Sequence, residues 1–165
     1  LVPLDLAEVA ADAIGLMSAE ARELRAKLAL VAPDTPLPPV LADRILLEQV
    51  LVNLIRNGME AMAEGPRSGH DLTLALTADV GGVRLDIADQ GPGIPPDLAE
   101  RLYDPFTSTK AQGMGMGLNI CRSIIEVLHG SLSHAPNPGG GTIFTIRLPF
   151  AAVEDVGVLR TEEAP

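Results

Sequence analysis

The sequence predicts an α+β fold, a two-layer sandwich with helices on one face of a mixed, mostly antiparallel sheet. Three observations carry this. Apolar residues recur at helical spacing over two long stretches. Shorter strand-like stretches follow in blocks, not in strict βαβ alternation. Apolar residues make up 47% of the 165-residue chain, enough for one core of ordinary size without disulfides or a structural metal.

The first helix is expected over residues 4–24, where Leu6, Val9, Ala10, Ala13, Leu16 and Met17 recur at helical spacing. Residues 27–31 read as a short strand, and Pro33, Pro36, Pro38 and Pro39 then make a rigid, non-helical connection. Asp43 is a plausible N-cap for a helix over 44–64 with Leu47, Val50, Leu51, Leu54, Ile55 and Met62 on its apolar face. Strands at 71–78 and 83–89 flank Gly81-Gly82 in hairpin fashion. Residues 90–116 form a long loop, rich in Gly, Pro, Thr and Ser, with one short helix near 97–102; a loop this long in a small domain is usually functional. A helix at 116–128 and strands at 131–134 and 142–148 close the fold. The domain is expected to run over 1–150, with a flexible, acidic tail at 151–165. The strand order cannot be read from these patterns.

A formal net charge of -10 argues against general nucleic-acid binding, which requires a basic surface. No apolar run approaches the roughly 18 to 20 residues that span a bilayer, and no basic region followed by an apolar stretch leads to an expectation of a signal peptide. Cys121 is the single cysteine, so no disulfide forms within the chain, which fits a reducing cytoplasm. Leu1-Val2-Pro3 runs directly into a helical pattern without an initiating Met, and the chain reads as a part excised from a longer protein.

Four polar or glycine-rich clusters stand out against the apolar background. In Asn53-Leu54-Ile55-Arg56-Asn57 the two amides lie four apart, one helical turn along one face, with Glu60 on roughly the same side. Hard oxygen donors in this arrangement suit a Mg²⁺-phosphate site completed by phosphate and water; a solvated helix face with two incidental amides is the other reading. Asp89-Gln90-Gly91-Pro92-Gly93-Ile94-Pro95 follows a strand. Its glycines let the backbone approach a flat ligand and Asp89 could accept from an exocyclic amine, though an ordinary Asx turn has the same composition. Tyr103-Asp104-Pro105-Phe106-Thr107-Ser108-Thr109-Lys110 suggests a phosphate-facing lid anchored by Phe106, or else a surface loop with a core Phe. Gly113-Met114-Gly115-Met116-Gly117-Leu118 runs into a helix N-terminus, where main-chain N–H groups favour anions. It matches neither the dinucleotide nor the Walker pattern.

In this order the clusters resemble the N, G1, F and G2 boxes of the GHKL ATPase/kinase superfamily, and most closely the catalytic domain of sensor histidine kinases of the oxygen- and dicarboxylate-sensing kind. The resemblance covers about residues 4–150, and Pro138-Gly139-Gly140-Gly141-Thr142-Ile143-Phe144 is similar to the family's last glycine motif and closing strand. It implies a Bergerat-type fold that binds ATP and Mg²⁺. By position, Asn57 would ligate Mg²⁺ and Asn53 lie beside the phosphates. Asp89 would take the adenine amino group, with Gly91, Gly93 and Ile94 against the ring and Thr142 supporting Asp89 directly or through water. Lys110 would reach a phosphate, and Gly113, Gly115 and Gly117, with Phe106 and Leu118 at either end of the lid, would enclose the triphosphate. Arg56 is a weaker candidate for phosphate contact. Gly58 departs from the family's usual Ala at a cost of roughly 1 kcal/mol of helix propensity. Thr107 stands after Phe106 where relatives often carry a second aromatic, which leaves the packing of the lid open.

The implied activity is two-component signalling: transfer of the γ-phosphoryl group of ATP to a histidine on a dimerisation hairpin, with a response regulator downstream. His70, His129 and His134 lack the context of that acceptor, so this chain alone is expected to bind ATP without autophosphorylating, and to be monomeric where the parent protein is a homodimer. The resemblance places the water-activating Glu of the hydrolysing relatives at Asn53, and an amide cannot take that proton. An anti-sigma-factor-type serine kinase and a degenerate, non-catalytic nucleotide-binding or interaction module are the alternatives. The implied location is cytoplasmic, with membrane attachment of the parent protein left open.

Overall fold

A computed structural model describes residues 1–64, 70–105, 117–152 and 154–155. The first helix, α1 (Leu6–Glu23), starts at Asp5, whose carboxylate accepts the Ala7 N–H at 2.9 Å. Leu6, Val9, Ala10, Ala13, Met17 and Ala21 form its buried stripe, while Leu16 lies on the exposed side. Arg25 closes the helix at φ 57, with the Ala26 N–H bonded to the Ala21 carbonyl at 2.8 Å. This left-handed cap turns the chain straight into β2 (Lys27–Val31).

The central helix α2 (Arg44–Glu64) begins as predicted at Asp43, which accepts the Leu46 N–H at 3.0 Å. Its apolar face is buried throughout, from Leu47 to Met62. Ion pairs stitch it to α1: Arg44 meets Glu8 and Asp12, and the Arg56 guanidinium grips Glu20 through two bonds of 3.0 Å. The Arg56 hydrogen bond holds Glu20 below the usual carboxylate range. Glu20 therefore stabilises the fold above its unfolded pKa, and that contribution fades as pH falls through its lowered folded value. A double-mutant cycle of Arg56→Met and Glu20→Gln on thermal stability is expected to give a coupling of about 0.5 kcal/mol, because both side chains remain partly in water.

The main sheet has the order β2-β4-β5-β7-β6, built with β4 (Asp71–Asp79), β5 (Gly82–Ala88), β6 (Ser131–Pro136) and β7 (Thr142–Pro149). Only β2 and β4 run parallel; the other pairs are antiparallel. Register aligns Leu74, Ile87, Phe144 and His134 across four strands, and Leu76, Leu85, Ile146 and Leu132 beside them. These rows, His134 apart, are buried, whereas the alternate row of Thr77, Arg84, Arg147 and Ser131 lies on the opposite face. The core thus sits between one sheet face and the helices, as the patterning predicts. Helix α4 (Leu118–Val127) ends like α1, with His129 at φ 61 and the Gly130 N–H bonded to Ile125. At Gly130 the backbone passes so close to the Arg147 carbonyl that a side chain cannot fit.

The structure adds two strands that the sequence patterns do not reveal. Segment β1 (Val2–Leu4) pairs with β3 (Val40–Ala42) as a small antiparallel sheet, bridged through Val40 to Phe150. Three-residue strands are too short to display a period of two, and Pro3 and Pro39 disguise them further. The short helix α3 covers Pro96–Ala99 and gives way to turns, instead of continuing to 102. No helix among the described residues is long and apolar enough to cross a membrane. Most of the expected tail lies outside the described residues.

Candidate nucleotide site

Strand period places the central carboxylate. Ile87 faces the helices, Ala88 faces away, and Asp89, one step past β5, faces the helices again beneath α2. Its backbone N–H extends the ladder to the Thr142 carbonyl at 3.0 Å. Asp89 is 4% exposed. One oxygen, Oδ1, accepts two backbone N–H bonds, from Gly91 at 2.9 Å and Thr142 at 3.1 Å. The other, Oδ2, has no hydrogen-bond partner among the described residues. Burial raises the Asp89 pKa, and the two N–H bonds oppose that rise.

Glycines make room for this carboxylate. A Cβ at Gly91 would lie 3.1 Å from that of Ala61, and Gly93 holds φ +81. Gly141, at φ +101, crosses so near Asp89 that a Cβ would lie 2.8 Å from Oδ1 and closer still to the main chain. Asn137 donates to the Asp89 carbonyl at 2.7 Å and so ties the β6–β7 turn to the same point. Ile94 is half-buried against the core. Gly58 also has a reason here: Leu72 Cδ1 fills the space that an Ala methyl would take, and Asp89 lies just beyond.

The amide cluster on α2 splits into two environments. Asn53 is 4% exposed and its Nδ2 donates to Cys121 Sγ on α4 at 3.3 Å. Asn57, one turn on, is half-buried. Arg56 turns away to α1, so the phosphate contact considered for it is replaced by the Glu20 pair. Gly117 caps α4 at φ -62, ψ 152, and Leu118 opens its first turn. Cys121 donates its N–H back to the Gly117 carbonyl at 3.1 Å, which puts the buried thiol one turn below the helix start. Phe106, Lys110, Gly113 and Gly115 lie outside the described residues.

At the edge of the sheet, Tyr103 Oη and His134 Nδ1 are 3.0 Å apart, and the Arg122 guanidinium lies 4.8 Å from the Tyr103 ring centre. Burial lowers the His134 pKa, favouring the neutral ring that can accept from the phenol. His134 and His129 thus have structural roles, in packing and in helix termination. Asn137, Gly141 and Cys121 are the residues the sequence reading did not assign to the site. The Pro138-to-Gly141 run was a signal for the second; nothing in the sequence pointed to the other two.

A helix-backed mixed sheet with a buried strand-end carboxylate is the architecture of an α/β-sandwich ATPase domain. The chain belongs to the histidine kinase-, DNA gyrase B- and HSP90-like ATPase family, whose profile matches residues 42–152. Within that family it is of the histidine kinase type: the catalytic domain of histidine kinase ThkA superposes with a TM-score of 0.78 at 30% identity, covering 90% of this chain and 95% of that one. Full-length ShkA in complex with AMPPNP gives a TM-score of 0.78 at 32% identity, over 93% of this chain and 32% of its own. Among curated proteins, the C4-dicarboxylate transport sensor protein DctS of Rhodobacter capsulatus is 60% identical over 149 residues. Those residues are 90% of this chain but 22% of DctS, so the chain spans about a fifth of that relative's length.

Proposed function

We propose that this domain binds Mg-ATP and presents its γ-phosphoryl group to a histidine on a helical hairpin of the same parent protein. The observation that carries the reading is the Asp89 carboxylate. One oxygen is saturated by backbone N–H groups and the other is left as a fixed acceptor in a glycine-lined recess. Such an acceptor suits the exocyclic amine of adenine, and Gly91, Gly93 and Ile94 would lie along the ring.

Asn57 would supply an oxygen to Mg²⁺, with Asn53 beside the phosphates. A Mg²⁺ bound by so few side chains would be completed by phosphate and water. When bound, the metal neutralises charge on the phosphates. Lys110, Gly113, Gly115 and Gly117 would contribute an ammonium and N–H donors around the transferred group, with Phe106 and Leu118 holding the two ends of the lid. The chain's task is then positioning: a neutral imidazole is already nucleophilic, and none of the site residues has to act as a strong base.

A response regulator would receive the phosphoryl group next, the parent protein would be a homodimer through its hairpin, and the domain would work in the cytoplasm. Residues 1–150 would form the catalytic unit and 151–165 a flexible tail. Calorimetric titration of ATP with and without Mg²⁺ tests the first half of the reading, with Mg²⁺-dependent binding as the expected result. Radiolabel transfer from [γ-³²P]ATP to the parent's separately supplied hairpin tests the second. A folded domain that binds no ATP would instead be a degenerate interaction module.

A further inference from the structure

The geometry points to Cys121 as a positioning residue that fixes which end of the Asn53 amide enters the phosphate-metal site. The inference rests on the Mg-ATP reading above. Asn53 is almost fully buried, and its Nδ2 is committed to the Cys121 sulfur at 3.3 Å. Its Oδ1 has no hydrogen-bond partner among the described residues. A primary amide presents a donor at one end and an acceptor at the other, so engaging the nitrogen leaves the oxygen for the ligand. An oxygen there favours a cation or its bound water; a nitrogen would favour a phosphate oxygen. With the sulfur as the acceptor of that N–H, Asn53 offers the ligand the oxygen end of its dipole.

The thiol suits this role and no reactive one. Cys121 is completely buried, and that burial pushes its pKa up to about 11, so the sulfur stays protonated and uncharged at neutral pH. A thiolate would be required for nucleophilic or metal-ligand chemistry. The sulfur is also held in place: its own N–H is bonded to Gly117 at the helix start, and it lies on the buried stripe of α4 with Ile125. The α2–α4 contact and the amide orientation are consequently one structural feature.

The test is ATP affinity in excess Mg²⁺ and in EDTA, by calorimetry, for the wild-type chain, Cys121→Val and Cys121→Ser. Val keeps the volume but cannot accept a hydrogen bond; Ser restores an acceptor. One neutral hydrogen bond corresponds to a factor of about five in affinity. We expect Cys121→Val to lose about fivefold of the Mg²⁺-dependent gain while affinity in EDTA stays within about twofold, and Cys121→Ser to keep the gain. The Asn53 side-chain NH₂ resonances should move in the Val variant and stay split as in wild type in the Ser variant. A Val variant that retains the full Mg²⁺ gain, or that weakens equally in both conditions, overturns the inference. If Val does not fit, Cys121→Ala removes the acceptor without added bulk and is read the same way. A folded wild-type chain that binds ATP in neither condition overturns the nucleotide reading itself, and this inference with it.

Discussion

Asp89→Asn is expected to lower ATP affinity by about a hundredfold, or roughly 3 kcal/mol, while the domain stays folded. The substitution is nearly isosteric. An Asn in the same pose keeps its Oδ1 for the Gly91 and Thr142 N–H groups, so the local turn survives. What changes is the other oxygen, without a partner among the described residues: Oδ2, an acceptor, becomes an NH₂ donor that would face the adenine amine donor to donor. An unmatched polar group in a site this buried carries its desolvation cost in full. Burial already penalises the Asp89 charge, and Asn removes that penalty, so the melting temperature should hold or rise slightly. Calorimetry and thermal melting on the same sample distinguish the two effects; an unchanged affinity would remove Asp89 from the adenine site.

Gly141→Ala should have the largest effect on the fold itself. The position combines φ +101 with a main-chain approach to Asp89 that leaves no room for a Cβ. A left-handed backbone costs an Ala roughly 1 to 2 kcal/mol before any clash. The obstruction is backbone and a pinned carboxylate, so nothing can swing aside cheaply. We expect a loss of about 3 kcal/mol or more, seen as a fall of about 10 °C in melting temperature for a domain of this size, with ATP binding reduced in parallel. Gly58→Ala provides the contrast. There the obstructing atom is the end of the Leu72 side chain, which can rotate, and Ala is the better helix former. A Gly141→Ala domain as stable as wild type would mean that the glycine run is a sequence habit and not a steric requirement.

What could be read in the sequence was whatever repeats with a period. The buried stripe of α2 runs from Leu47 to Met62, and the paired strands alternate cleanly, so their existence followed from apolar spacing and their limits from the Asp43 cap and the Gly81-Gly82 turn. Asp89 and its glycines were legible because a polar residue at a strand end between two Gly turns is a local pattern. Features that depend on which residue a side chain meets across the fold were not. The four-residue spacing of Asn53 and Asn57 put them on one face, yet the partner that fixes Asn53 is 68 residues away. Arg56 sits between them at the margin of that face, and only Glu20 on α1 settles which way it turns. Support of Asp89 by Thr142 was implied only by the family resemblance, and its form, a backbone N–H, like the Asn137 amide on the Asp89 carbonyl, shows only once β5 and β7 are neighbours.

That neighbour relation also sets an order of events in folding. Asp89 belongs to a hairpin made of consecutive strands, but half the N–H groups that hold its carboxylate come from residue 142, beyond residues 90–116 and α4. Pairings across such long loops form late and slowly, because closing the loop must precede the contact that rewards it. On a growing chain, then, Asp89 emerges long before its recess can exist, and the recess is complete only once the closing strand has docked. Any nucleotide that this carboxylate recognises would select the finished sheet over every earlier intermediate, so occupancy would serve as a checkpoint on the last step of assembly.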